Sequence, residues 1–169
     1  MLHTRKAFTM IELVFVIVVL GILSSIAISK MAVTRDDAQL VKGRSEVSAI
    51  RSAITLQRSM NMMSGAGGNP TRLDALGFTA GVGVEKTTSS DGDKLFDYDT
   101  DSSSSRKKIL DYPIMSKDAN GGWRKTAADK YTFKVVNTDI EFTYSAGNFD
   151  CDHAASDAKV KKYCKALTE

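Results

Sequence analysis

The chain has 169 residues, enough for one globular domain with an appendage. Its formal net charge is +3, and taking Arg5 and Lys6 from its 23 Lys and Arg leaves 21 against 20 Asp and Glu from Phe8 onward. A body this close to neutral has no bulk electrostatic attraction to nucleic acid.

The first seven residues, Met1–Ala7, are short, polar and basic. The run Phe8–Ile28 follows, with 21 residues and a single charge, Glu12. As a helix it would span about 30 Å, the thickness of a bilayer's hydrocarbon core. Arg5 and Lys6 precede it and no equally basic cluster follows immediately, which puts the N-terminus in the cytoplasm and the rest in the periplasm or outside. Three readings fit such a segment: a secretory signal cut after Ala27-Ile28-Ser29, a plain membrane anchor, or a leader cut before the apolar run so that the run is retained.

Glu12 separates these readings. A carboxylate in a membrane helix costs about 2.5–3.5 kcal/mol, so it needs a purpose and a partner. A cut between Ala7 and Phe8 would create an α-amine one helical turn from Glu12. Amine and carboxylate would then neutralise each other in a low-dielectric setting. On a neighbouring subunit, the same amine would also set axial register.

Arg5-Lys6-Ala7-Phe8-Thr9-Met10-Ile11-Glu12-Leu13 resembles the class III signal of type IV prepilins and type II secretion pseudopilins. The resemblance implies cleavage between Ala7 and Phe8 by a prepilin peptidase that also methylates Phe8. It also implies a role for Glu12 in assembly and a helix-loosening role for Gly21. Two positions depart from the family's habit. Ala7 stands where Gly is usual before the cut, and Ser29 where a Pro often kinks the helix. The implied partners are other copies in a helical filament, the inner membrane, the peptidase–methyltransferase, an assembly platform and minor pilins.

Ser29–Met63 contains no Pro and one Gly, Gly43, while Leu40, Val47, Ile50 and Ile54 share one helical face. One helix of about 50 residues, or two broken near Gly43, would satisfy this pattern. Ser64-Gly65-Ala66-Gly67-Gly68-Asn69-Pro70 ends it, and lacks the Gly-Lys-Ser/Thr ending of a phosphate loop. The stretch to Lys108 reads as loop, with a short helix possible at Thr71–Leu76 and Asp101–Ser105 the most flexible part. Its acidic run Asp91, Asp93, Asp97, Asp99 and Asp101 suits either calcium, which some similar pseudopilins bind, or plain solvation.

Strands follow. Ile109–Met115 suits an edge strand because of Pro113. Tyr131, Phe133 and Val135 alternate with polar neighbours, as do Ile140, Phe142 and Tyr144, and Asn137-Thr138-Asp139 separates the two runs into a hairpin that Trp123 opens or precedes. Their aromatic rings read as core against the Leu40–Ile54 face. Ser156–Leu167 reads as a short helix with the basic residues Lys159, Lys161, Lys162 and Lys165, a solvated face or a contact to DNA. Cys151 and Cys164 read as a disulfide if the domain is exported, which would stabilise it by roughly 3 kcal/mol. Two free thiols, or a zinc site with His153, are the alternatives.

The expected fold is thus α+β: a long N-terminal helix on a small antiparallel sheet, with a C-terminal disulfide-closed loop. The expected organisation is a leader 1–7, a membrane or filament-core helix 8–28, an amphipathic helix 29–63, a variable region 64–108 and a sheet region 109–169. No catalytic motif emerges, so neither an enzyme, a cofactor nor a resident metal is expected. The first functional expectation is a secretion or transformation pseudopilin. A surface pilin comes second, and a membrane-anchored or secreted binding module is the alternative outside filaments.

Overall fold

A computed structural model describes residues 8–65, 67–70, 72–74, 87–96, 109–110 and 112–169, with the backbone alone at 27–34. The chain divides into two compact units, Met1–Asp37 and Ala38–Glu169. The fold class is α+β, with helix α1 at Met10–Met63 and helix α2 at Ala158–Thr168.

In the first unit α1 is helical through Gly21, and every described side chain from Phe8 to Ile26 is exposed. In the second unit α1 contributes Val47, Ile50 and Ile54 to the core, with Leu40 partly buried beside them. Helix α1 also runs through Gly43 unbroken. A Cβ there would lie 2.7 Å from Phe133 Cζ and from Leu167 Cδ2. Gly43 is therefore a close-approach residue, not a helix breaker. Its missing side chain lets the helix backbone sit against the sheet and α2.

Strands β1 (Lys94–Leu95) and β2 (Ile114–Met115) form a short antiparallel pair. The main sheet is an antiparallel meander of β3 (Trp123–Ala127), β4 (Lys130–Val135), β5 (Thr138–Ser145) and β6 (Asn148–Cys151), in that order. Alternation carries Trp123, Tyr131, Phe133, Ile140, Phe142 and Phe149 into the core, all essentially without solvent contact. Trp123 lies 4.9 Å from Phe133 and 5.2 Å from Phe142 between ring centroids. The aromatic residues are core, as their alternation implies.

Several local expectations are corrected. The β4–β5 turn is Val136-Asn137, with φ of 47° and 58°, so Thr138 and Asp139 already belong to β5. A two-residue turn with both φ positive matches the twist of its strands, and that demand moves the β-branched Val136 out of the alternation. Asn120 Oδ1 accepts the Asn137 N–H at 2.9 Å and secures the turn. Among the described residues of the expected 109–115 strand, Ile114–Met115 alone form a strand. Strands β1 and β6 were not expected. β1 is two residues long, and β6 follows a second tight turn at Ala146-Gly147 with φ of 51° and 87°. Arg72–Asp74 is not helical, while Thr71, Ala75 and Leu76 lie outside the described residues. Helix α2 starts at Ala158 rather than Ser156 because the Asp157 side chain caps it, accepting from Lys159 N at 2.7 Å.

Two polar anchors fasten loops to this unit. Arg51 on α1 donates from Nε to Phe149 O at 2.9 Å, from Nη1 to Thr168 O at 3.3 Å and from Nη2 to Asp150 Oδ1 at 2.9 Å. Lys125, inward-facing on β3, donates from Nζ to Asp74 Oδ1 at 2.9 Å, and Tyr131 Oη donates to Asp74 Oδ2. Lys125 and Asp74 are both buried, so their mutual charge compensation is what makes the burial tolerable.

Candidate assembly site

The start of α1 is shaped by Thr9. Glu12 N donates to Thr9 Oγ1 at 3.3 Å and to Thr9 O at 3.1 Å, and Leu13 N donates to Thr9 O at 3.3 Å. Thr9 is thus the cap of the helix, Phe8 lies just outside it, and Glu12 is the third helical residue. Thr9-Met10-Ile11-Glu12 has the Thr-x-x-Glu pattern of a capping box, of which the threonine half is formed. A carboxylate in the first turn also meets the positive end of the helix dipole. Sequence reasoning had given Glu12 a charge partner and overlooked Thr9, although the four-residue signal was there to read.

Around this cap the surface is apolar. Phe8 is 77% exposed, Met10 85% and Ile11 79%, and the exposed apolar side chains continue to Ile26. An uncovered apolar run this long marks a surface that another apolar phase covers. Among the described residues no helix is long and apolar enough to cross a membrane, and the described side chains of the apolar run stop at Ile26. Ala7 lies outside the described residues. Gly21 has nothing within 4 Å of where a Cβ would stand, so no close contact accounts for it.

In the second unit, Cys151 at the end of β6 and Cys164 on α2 form a disulfide with Cα atoms 5.8 Å apart. It ties α2 to the sheet edge, as the sequence suggested. Both sulfurs are consumed in that bond, so in this state they are not the thiolates zinc would need. His153 Nε2 lies 3.2 Å from Asp150 Oδ1. Lys159, Lys161, Lys162 and Lys165 are exposed on α2, with Lys165 3.4 Å from Glu169. Of the acidic run, Asp91 Oδ1 accepts from Asp118 N at 2.9 Å and Asp93 Oδ2 accepts from Ser90 N at 2.7 Å, which gives both a loop-fixing role. Asp97, Asp99 and Asp101 lie outside the described residues.

A groove of about 600 Å³ lies beside Lys42, Glu46, Met115, Lys117, Gly121 and Trp123. Trp123 Nε1 donates to Glu46 Oε2 at 3.0 Å, and Lys42 Nζ donates to Gly121 O at 2.7 Å. Burial pushes the Glu46 carboxyl above its ordinary range, against the opposing effects of Lys42 and the Trp123 hydrogen bond. The carboxylate is held as a structural acceptor, and the groove's lining supplies no nucleophile–base pair beside it.

The cap, the exposed apolar run and the basic residues before it coincide with a known signature. Residues 2–28 match the family described as the prokaryotic N-terminal methylation motif. The match covers the N-terminal segment and supports a likeness to type IV pilins and pseudopilins there. No curated protein and no solved structure matches the chain. The methylation motif therefore rests on the N-terminal segment, where Thr9 and Glu12 organise the first turn.

Proposed function

We propose that this protein is the structural subunit of a type IV pilus-like filament, with a type II secretion or transformation pseudopilus as the first reading. The chain is inserted in the inner membrane with its N-terminus in the cytoplasm and its C-terminal unit in the periplasm. It is cut between Ala7 and Phe8, methylated on Phe8 and polymerised through Phe8–Ile28. In the filament Glu12 pairs with the Phe8 amine of a neighbour, so the cost of a carboxylate in an apolar setting is offset by a specific contact. The amphipathic segment 29–63 leads into the sheet region 109–169, which decorates the filament's outside.

The observation that carries this reading is the methylation motif placed on a capped helix start, with Glu12 in the first turn and an exposed apolar run behind it. Mass spectrometry of the purified protein's N-terminus tests it. A chain beginning with N-methylated Phe8 supports the reading, whereas a mature start near Lys30 means ordinary secretion and overturns it. A surface pilin is the second reading, favoured by the Cys151–Cys164 disulfide at the C-terminal end.

A further inference from the structure

We propose that in the dithiol state Cys151, His153 and Cys164 form a binding site for a zinc-like divalent cation, and that this site and the disulfide are alternative states of the same side chains. One ligand atom from each of the three residues lies within 4.8 Å of the others. Thiolate and imidazole are the donors such a cation prefers. Two metal–sulfur bonds of about 2.3 Å at a tetrahedral angle hold the sulfurs about 3.8 Å apart, a span open to cysteines whose Cα atoms are 5.8 Å apart. Rotation of the two side chains provides it, with β6 and α2 staying where Arg51 holds them.

The surroundings support a cation as well. Asp150 Oδ1 faces His153 Nε2 at 3.2 Å and is itself fixed by Arg51 Nη2 and Cys151 N, each at 2.9 Å. A carboxylate fixed beside an imidazole is the usual device for orienting a metal-bound histidine. Cys164 and Cys151 are buried, whereas the His153 side chain is 45% exposed, so the cation has an entry path on the histidine side. Three protein ligands leave a fourth position for water, and affinity will be below that of a four-ligand structural site.

Every chain passes through this state, because cysteines are incorporated as thiols and bridged afterwards. Binding forms two sulfur–metal bonds and releases two protons, with no electron transfer. Bridging instead removes two electrons and two protons to an external disulfide oxidant. A bound cation withholds the thiolates from that oxidant, so occupancy delays closure of the α2 region.

The test uses the full chain in detergent. A trialkylphosphine breaks the disulfide, supplying two electrons while water supplies the protons and an oxygen for the phosphine oxide. After its anaerobic removal, the chain is titrated with Co²⁺ alone. One cobalt per chain is expected, with a thiolate-to-cobalt charge-transfer band, displacement by Zn²⁺, and binding at least tenfold weaker in His153→Ala. Wild type and variant share His3, so the difference reports His153. Absence of the band in the reduced wild type overturns the proposal, as does equal affinity in His153→Ala. Re-formation of the bridge in the oxidised variant verifies that it folds. With oxidised glutathione, zinc-loaded chains should close the bridge at least several-fold more slowly than metal-free ones, and equal rates overturn the exclusivity of the two states.

Discussion

The backbone of Gly43 on α1 lies so near Phe133 on β4 that a single added carbon at Gly43 would stand 2.7 Å from the ring's Cζ. The same carbon would stand 2.7 Å from Leu167 Cδ2 on α2, so one glycine governs how α1, the sheet and α2 meet. Gly43→Ala gains about 1 kcal/mol of helix propensity but overpacks a full core, which costs about 1–3 kcal/mol. Net destabilisation of up to about 2 kcal/mol is expected in urea unfolding of the C-terminal unit, followed by Trp123 fluorescence. Gly21→Ala is the control: it meets nothing within 4 Å and should leave that transition unmoved. An equally stable Gly43→Ala protein would show that the core yields freely at this point.

The buried pair Lys125–Asp74 makes a second, larger prediction. Both side chains are at most 1% exposed, and Tyr131 adds a hydrogen bond to the same carboxylate. Removing one charge takes a buried ion-pair partner from the other in a low-dielectric interior. Asp74→Ala and Lys125→Met should each destabilise by about 3–5 kcal/mol. The double variant should lose clearly less than the sum, since the ion pair is removed as a unit. Chemical denaturation of all four proteins gives the coupling directly, and simple additivity would mean the two charges do not compensate each other.

Glu46 and Asp118 should pull stability in opposite directions in acid. Burial raises the Glu46 carboxyl above its ordinary 4.5. Between that value and its folded one, the native state binds more protons than the unfolded state, so this group's contribution to stability falls as pH rises through the window. The cost is fully present above the folded pKa and absent below 4.5. Glu46→Gln should therefore compare more favourably with wild type at pH 7 than at pH 4. Asp118 is held below its ordinary 3.8, chiefly by the hydrogen bond from Lys134 at 2.6 Å, with Arg124 adding to the effect. Its contribution is present above 3.8 and is lost as pH falls through the folded value. Asp118→Asn should flatten the acid limb of the stability curve instead. Thermal unfolding of the three proteins from pH 3 to 7 measures both slopes.

These anchors also show where the sequence was readable. The helix face Leu40, Val47, Ile50 and Ile54 and the alternations from Tyr131 to Val135 and from Ile140 to Tyr144 announce themselves by period, because burial on one face is a local constraint. The Cys151–Cys164 bridge was legible from residue type and the expectation of export. Lys125 was not, since a lysine at an inward strand position gives no sign of its distant acid at Asp74. Gly43 carries two meanings in a sequence, helix breaker or close approach, and only the neighbouring Phe133 and Leu167 decide between them. The Val136-Asn137 turn hid because Val136 has a strand former's side chain but takes φ of 47° to close the hairpin. At the candidate assembly site Glu12 stood out as a charge in an apolar run, whereas Thr9 blended into it.

The cap and the charge at the start of α1 can be separated experimentally. Thr9 Oγ1 accepts the Glu12 backbone N–H, so the cap uses the amide of Glu12 and not its carboxylate. Thr9→Ala loses the cap and should weaken the first turn by about 0.5–2 kcal/mol, fraying α1 locally. Glu12→Leu keeps Thr9 Oγ1 on the same N–H and removes only the charge, so the helix start should persist and membrane insertion should improve. If Glu12 pairs with a neighbour's Phe8 amine, Glu12→Leu should accumulate as processed, membrane-held subunit with filament yield reduced at least tenfold. Glu12→Asp should recover part of that yield by retaining the charge on a shorter arm. Ala7 variants that block cleavage, with no free amine at Phe8, should give the same loss while retaining the leader. Sheared-filament yield and N-terminal mass spectrometry read all four proteins. Normal filaments from Glu12→Leu would leave the carboxylate with its helix-dipole role alone.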